Sequence, residues 1–135
     1  MKKRILFVDD EPNLLQGLHR MLRPMSEVWD MSFAGNGLEA MKYMAHTPCD
    51  VVATDIVMPE KEGLETIMQL RREYPETRIV AFSGGGRTGK LISALDVAKK
   101  LGAHRILEKP FEPQELIDAV TEVLQDQEAP GPSSG

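Results

Sequence analysis

Short apolar runs and longer amphipathic stretches alternate along this chain. The continuous apolar runs 5–8, 51–53 (which Thr54 extends) and 79–82 are typical of central strands that are covered on both faces. Residues 29–33 alternate between apolar and polar side chains, which indicates a half-exposed edge strand, and 105–107 form a brief further run. The pattern therefore predicts five strands.

The stretches between and after these strands carry apolar residues at helical spacing. The first predicted helix begins at Pro12, the third at Gly63 and the fifth at Pro113, while the turn signal Asn36-Gly37 precedes the second. Gly102 is expected to end the fourth helix. Five strands that alternate with five helices predict an α/β fold, in which helices cover both faces of a parallel sheet.

The size of the chain indicates one domain. It has 135 residues, of which 41% are hydrophobic and 27% are charged. These values are typical of a globular protein, and we place its domain at residues 1–126. Residues 127–135 are too poor in apolar side chains to pack, so we expect a disordered tail that is either a linker stub or an expression remnant.

Charge and cysteine content exclude several classes of protein. The net charge of −5 argues against direct nucleic-acid binding by this domain. No apolar run approaches the roughly 20 residues that a membrane span needs, and no secretory signal is present. Cys49 is the single cysteine, so we interpret it as a core residue and not as a nucleophile. A cytoplasmic protein is therefore expected.

Polar side chains follow four of the five predicted strands. Asp9 and Asp10 follow the first strand, Asp55 the third, Ser83 the fourth and Lys109 the fifth. Because parallel strands end at one edge of the sheet, these side chains can converge where such folds bind ligands. Three carboxylates in one place repel each other, and a divalent cation with oxygen ligands, such as Mg²⁺, removes that penalty.

This set of residues suits phosphoryl transfer. A carboxylate can act as a nucleophile and form an acyl phosphate, while the reaction otherwise needs positioning and charge neutralisation. Lys109 would supply an ammonium and Ser83 a hydroxyl donor. A strand-end aspartate can also serve only as the N-cap of the following helix, which remains an alternative for Asp9 or Asp10 taken alone.

The motifs together resemble the receiver domain of two-component response regulators. The matching segments are Phe7-Val8-Asp9-Asp10-Glu11-Pro12, Asp55-Ile56-Val57-Met58-Pro59, Gly63, Ser83 and Lys109-Pro110-Phe111. The resemblance extends from about residue 4 to residue 124. It implies a flavodoxin-like fold with strand order 2-1-3-4-5 and a cis peptide bond between Lys109 and Pro110.

The resemblance also implies a role for each site residue. Asp55 would be the phosphoacceptor, and Ser83 and Lys109 would bind the phosphoryl oxygens. Asp10, Asp55 and the main-chain carbonyl of Val57 would ligate Mg²⁺, and Asp9 would reach the ion through water.

The implied function is that of a signalling switch. The phosphodonor would be a sensor histidine kinase or a phosphotransfer protein. The face formed by the fourth helix, fifth strand and fifth helix would be read by a partner or by an output domain on the same full-length chain. Such a domain is not a turnover enzyme, because it assists only its own phosphorylation and dephosphorylation. A monomer or weak dimer is expected.

Two features depart from the family pattern. The switch position three residues before the lysine is usually aromatic, but here it is Ile106. We expect a buried Ile106 and a signal that runs through Ser83 and the region of the fourth helix, without an aromatic rotamer change. The segment Gly84–Lys90 is also longer and richer in glycine than the resemblance leads us to expect, so its loop should be mobile.

Three alternatives stay open. Gly84, Gly89 and Lys90 fit the G-x-x-x-x-G-K pattern of a nucleotide-binding P-loop, but Leu91 stands where that motif needs serine or threonine. A pseudo-receiver that never accepts phosphate would act as an interaction module only. A metal-dependent phosphatase would need a second acid to activate water, and none is evident.

Overall fold

A computed structural model describes residues 2–56, 62–83, 96 and 98–128. The strands are β1 (Lys3–Val8), β2 (Trp29–Ala34), β3 (Val51–Asp55), β4 (Arg78–Ser83) and β5 (Arg105–Glu108). The helices are α1 (Pro12–Met21), α2 (Gly37–His46), α3 (Glu62–Glu73) and α5 (Pro113–Glu128), and the helical residues 96 and 98–101 belong to α4. A short 3-10 helix, Arg23–Glu27, connects α1 to β2.

The five strands form one parallel sheet in the order β2-β1-β3-β4-β5. This confirms both the predicted α/β class and the strand order that the family resemblance implied. β1 and β3 are neighbours, with Val8 opposite Thr54, so the residues that follow them emerge side by side. β4 lies on the other side of β3 and pairs Phe82 with Asp55.

Side chains of the central strands alternate between two core layers. Leu6 and Val52 face the side covered by α2, α3 and α4, whereas Phe7 and Val51 face the side covered by α1 and α5. Both layers exclude solvent from the strands, which explains why their sequences are continuously apolar. Burial of each large side chain such as Phe7 contributes about 1.5–3 kcal/mol, and this core makes the sheet a rigid support for the residues at its edge.

Local signals in the sequence set the helix ends. Pro12 occupies the first turn of α1, where its missing N–H costs nothing. The Asn36 side chain accepts a 2.8 Å hydrogen bond from the Glu39 main-chain N–H and caps α2. Gly102 has a φ of +121°, which confirms the expected glycine after α4.

The predicted disordered tail and the predicted absence of a membrane span can be compared with the described helices. α5 continues to Glu128, and 129–135 lie outside the described residues, so the proposed tail remains a prediction. Among the helices that the structure describes, none is both long and apolar enough to cross a bilayer.

Candidate functional site

Three aspartates converge at the carboxyl edge of the sheet. Asp9 and Asp10 follow β1, and Asp55 is the last residue of β3. Carboxylate oxygens of all three lie within 4.8 Å of one another. Asp9 and Asp55 are 1% and 5% exposed, whereas Asp10 is exposed. The cluster thus has a buried floor and one member that solvent can reach.

Both oxygens of Asp9 are engaged. Oδ1 accepts a 2.9 Å hydrogen bond from the Glu11 main-chain N–H, which lies at the start of α1. Oδ2 accepts a 2.8 Å hydrogen bond from Lys109 Nζ. The N-cap of α1 is Glu11, and no side-chain hydrogen bond caps this helix, so the N-cap alternative is wrong for Asp9 and Asp10. Asp9 instead belongs to the acidic cluster.

Lys109 connects the acids to the other end of the chain. Its Nζ also donates a 3.1 Å hydrogen bond to Asp55 Oδ2, and its side chain is only 17% exposed. Burial by itself lowers the pKa of Lys109, but the hydrogen bond to Asp9 and the charge of Asp55 outweigh burial, so the pKa is raised. The ammonium therefore stays charged and binds the two buried carboxylates. The Lys109–Pro110 bond is cis, as the resemblance implied.

The cluster fits a hard divalent cation. It offers oxygen ligands from three carboxylates within one small volume, which is the donor set that Mg²⁺ prefers. One ammonium faces three carboxylates, so a second cation would balance the excess negative charge. The predicted carbonyl ligand of Val57 lies outside the described residues.

The other predicted site residues are only partly described. Ser83 is the last residue of β4 and pairs with Glu108, so its main chain reaches the same edge, but its side chain is not described. The segment Gly84–Lys90 lies outside the described residues, and the P-loop alternative stays untested with it.

The expectation of a buried Ile106 is wrong. Its side chain is 38% exposed. The reason is that β5 is the last strand of the sheet and pairs only with β4. Leu107 turns toward the core layer of α1 and α5, and Ile106 lies on the opposite face of the strand.

The sequence also did not reveal an apolar groove beside the acidic cluster. Its cavity of about 340 Å³ is lined by Leu14, Leu18, Met21, Lys109, Pro110 and Phe111. Leu14, Leu18 and Met21 share one apolar stripe of α1, but Met21 is 44% exposed. The width of the apolar stripe on α1 could have predicted the groove. Where such a stripe is wider than the part of the helix that packs on the sheet, some of its apolar surface stays in solvent.

Comparison with known proteins gives one consistent result. Residues 5–121 match the family model described as the response regulator receiver domain. The chemotaxis protein CheY of Listeria monocytogenes is 30% identical over 117 residues, which cover 87% of this chain and 94% of that protein. CheY of Thermotoga maritima is 31% identical over 126 residues, covering 91% and 98%.

The chain is also similar to part of a longer response regulator and to solved receiver-domain structures. The nitrate/nitrite response regulator protein NarL of Escherichia coli is 31% identical over 116 residues, which cover 86% of this chain and 52% of NarL. The signal receiver domain of an HD domain-containing protein from Pseudomonas fluorescens Pf-5 has a TM-score of 0.80 at 25% identity, covering 94% of this chain and 98% of that one. A response regulator structure from Chloroflexus aurantiacus has a TM-score of 0.80 at 27% identity, covering 92% and 98%.

Proposed function

This chain belongs to the family of response regulator receiver domains, and we propose that it is the phosphoacceptor switch of a two-component phosphorelay, with Asp55 as the acceptor. The observation that carries the proposal is the convergence of Asp55 with Asp9, Asp10 and Lys109 at one edge of the sheet. An arrangement of this kind supplies a nucleophile, oxygen ligands for a cation, and a fixed ammonium.

The transfer step conserves charge and atoms. A carboxylate oxygen of Asp55 attacks the phosphorus of a phosphohistidine, a new P–O bond forms, and the P–N bond breaks with its electron pair returning to the imidazole. The product on Asp55 is an acyl phosphate. Lys109, with Nζ 3.1 Å from Asp55 Oδ2, is near enough to donate a hydrogen bond to a phosphoryl oxygen. The family resemblance assigns a second such donor to the Ser83 hydroxyl.

The acidic cluster has a further role before transfer. Asp10 and Asp55 would ligate Mg²⁺ together with the Val57 carbonyl, and Asp9 would reach it through water. When bound, the ion supplies charge neutralisation and orientation of the phosphoryl group. The protein itself contributes the fixed carboxylates, which the buried core of β1 and β3 holds in place.

The apolar groove suggests where the phosphodonor binds. The groove begins at Lys109 and continues along α1 to the exposed Met21. A sensor histidine kinase or phosphotransfer protein that presents its phosphohistidine from an apolar helix face could bury that face here. Its phosphoryl group would then approach Asp55 from the side of the ammonium.

Phosphorylation would act through a two-state equilibrium. A phosphoryl group on Asp55 competes with Asp9 for the Lys109 ammonium and so changes the contacts at the end of β5. Ile106 is accessible on this strand, so a partner or an output domain could contact it directly on the α4–β5–α5 face. We therefore assign Ile106 a contact role in output, and no aromatic rotamer switch is required.

Chemical mapping of the modified residue tests the proposal. The protein is treated with acetyl phosphate and Mg²⁺, and borohydride then reduces any aspartyl phosphate to homoserine, which peptide mass spectrometry locates. We expect homoserine at position 55 in wild type and in a control variant, Asp50→Asn, whose aspartate lies at the opposite edge of the sheet. Homoserine at another position, or none in a folded protein, would contradict the proposal and would favour a pseudo-receiver.

A further inference from the structure

The ring of Phe82 lies beneath the Lys109 ammonium. Lys109 Nζ is 5.3 Å from the centroid of the Phe82 ring, within the range of a cation–π interaction. Phe82 is fully buried, and the Lys109 side chain is only 17% exposed. Because little water reaches this ammonium, the negative face of the ring is one of the few favourable contacts left to it besides the two carboxylates.

The segment that carries Lys109 contacts the same ring a second time. Phe111 packs its ring against Phe82 in a T-shaped arrangement, with centroids 5.6 Å apart and an interplanar angle of 64°. This is a preferred geometry for aromatic pairs. The chain on both sides of Pro110 is thus attached to one buried ring, which limits where the Lys109 stem can begin.

The main chain of Phe82 is fixed to the strand that carries the phosphoacceptor. Phe82 is the register partner of Asp55 in the sheet. Its carbonyl oxygen accepts a 3.0 Å hydrogen bond from the Ile56 main-chain N–H. One residue therefore contacts Lys109 through its side chain and the Asp55 strand through its main chain.

From this geometry we propose that Phe82 is the positioning residue for Lys109, with Phe111 holding its ring in place. The inference rests on the proposed function, because it concerns the donor that stabilises the transferred phosphoryl group. A lysine stem has four rotatable bonds, and its ammonium alone does not fix its direction. The Phe82 ring restricts the ammonium to the space above it, where Asp9, Asp55 and a phosphoryl oxygen on Asp55 are all within reach.

A double-mutant cycle tests the inference. Phe82→Leu keeps an apolar side chain but removes the ring, and Lys109→Met removes the ammonium. We expect Phe82→Leu to slow labelling by acetyl phosphate by about tenfold in the presence of Lys109 and to have no further effect in the Lys109→Met background. Equal slowing in both backgrounds would overturn the inference, because the ring would then act only through packing. Phe82→Met serves for the same comparison should Phe82→Leu not fold.

A second readout separates this inference from the proposed function. Crystal structures need no phosphorylation, and we expect the Lys109 ammonium in Phe82→Leu to leave its position above residue 82 and to lose its hydrogen bond to Asp55. The control is Phe7→Leu, a fully buried aromatic of the same core layer whose ring stacks on Phe33, and it should leave the ammonium in place. A wild type that is not labelled, together with a displaced ammonium in Phe82→Leu, would reject the proposed function and keep the inference. An ammonium that stays on both Asp9 and Asp55 in Phe82→Leu would overturn the inference.

Discussion

Gly63 lies directly against the main chain of Asp55. A Cβ atom added at Gly63 would be 2.6 Å from the Asp55 carbonyl oxygen and 2.4 Å from Ile56 Cα. Both distances are too short for any side chain, and the obstructing atoms belong to the main chain. The absence of a side chain at Gly63 is therefore what lets the first turn of α3 approach the strand end that carries Asp55, the proposed phosphoacceptor.

Replacing Gly63 should disturb both stability and the site. We expect Gly63→Ala to lower the free energy of unfolding by about 1–3 kcal/mol, because α3 or β3 must shift to admit the methyl group. Labelling of Asp55 should slow as its carboxylate moves. Urea unfolding and the rate of acetyl phosphate labelling measure the two effects.

Gly17 provides the matched control. It lies in α1, and a Cβ there would meet no atom within 4 Å. Gly17→Ala should therefore stabilise the protein by about 0.5–1 kcal/mol, since alanine is the better helix former. A Gly63→Ala variant as stable as Gly17→Ala would show that the close approach to Asp55 is not required.

Lys109 should compete with the metal ion. Its ammonium contacts two of the three carboxylates that would hold Mg²⁺. Removing it in Lys109→Met leaves the cluster more negative, so Mg²⁺ should bind about tenfold more tightly, equivalent to ~1.4 kcal/mol. Phosphorylation should nevertheless become slower, because a hydrogen-bond donor to the phosphoryl oxygens is lost. Calorimetric titration with Mg²⁺ measures the first effect.

If the effect depends on the contact between Lys109 and the carboxylates, then losing a positive charge elsewhere on the protein should not tighten Mg²⁺ binding. Lys2→Met makes the same change at a lysine whose Nζ donates to the Ser26 carbonyl oxygen, and it should leave the Mg²⁺ affinity nearly unchanged. Weaker Mg²⁺ binding in Lys109→Met than in wild type would mean that the lysine assists the ion.

His104 should make the protein less stable in mild acid. Burial, followed by the charges of Arg78 and Arg71, lowers the pKa of His104 to about 4. Its Nδ1 accepts a 3.0 Å hydrogen bond from the Ile79 main-chain N–H, which requires that nitrogen to be unprotonated. Because the folded pKa lies below the unfolded value near 6.5, this contribution is complete above about pH 6.5 and is lost as the pH falls toward 4.

The size of this effect can be isolated by substitution. Because the side chain is partly solvated, we expect a loss of about 1–2 kcal/mol between pH 6.5 and 4. His104→Asn keeps an acceptor for the Ile79 N–H but cannot take up a proton, so its stability should fall less over that interval. An equal dependence of the free energy of unfolding on pH in wild type and His104→Asn would refute the role of His104.

Cys49 should be chemically inert in the folded protein. It is 5% exposed, and burial, followed by the charge of Asp50, raises the pKa of its thiol to about 12. Since the thiolate is the reactive species, alkylation at pH 8 should be very slow under native conditions and fast in denaturant. The chain has one cysteine, so intact mass reports its modification directly. Rapid native alkylation would contradict the core interpretation.

The acidic cluster was predictable because it follows from strand ends and the parallel sheet. Asp9 and Asp55 end continuous apolar runs, and β1 and β3 were expected in one sheet. Lys109 could be added for the same reason, although its choice of Asp9 and Asp55 as partners depends on side-chain directions that periodicity does not encode. The strand order itself came from the family resemblance.

Other features depend on three-dimensional packing and could not be predicted. The exposure of Ile106 depends on which strand ends the sheet and on which face of that strand is covered. The contact between Phe82 and Lys109 depends on the orientation of a buried ring, because the last residue of β4, the helix α4 and all of β5 separate the two residues in sequence. In the sequence, Phe82 is only one more apolar residue of a central strand.

The intact mass of the protein after incubation with acetyl phosphate tests the central claim most directly. With Mg²⁺ present, we predict that wild type gains the mass of one phosphoryl group. The gain should be lost when Mg²⁺ is chelated, and it should be absent in Asp55→Asn under all conditions. A wild-type mass that stays unchanged in folded, Mg²⁺-supplied protein, or a full gain in Asp55→Asn, would contradict the account.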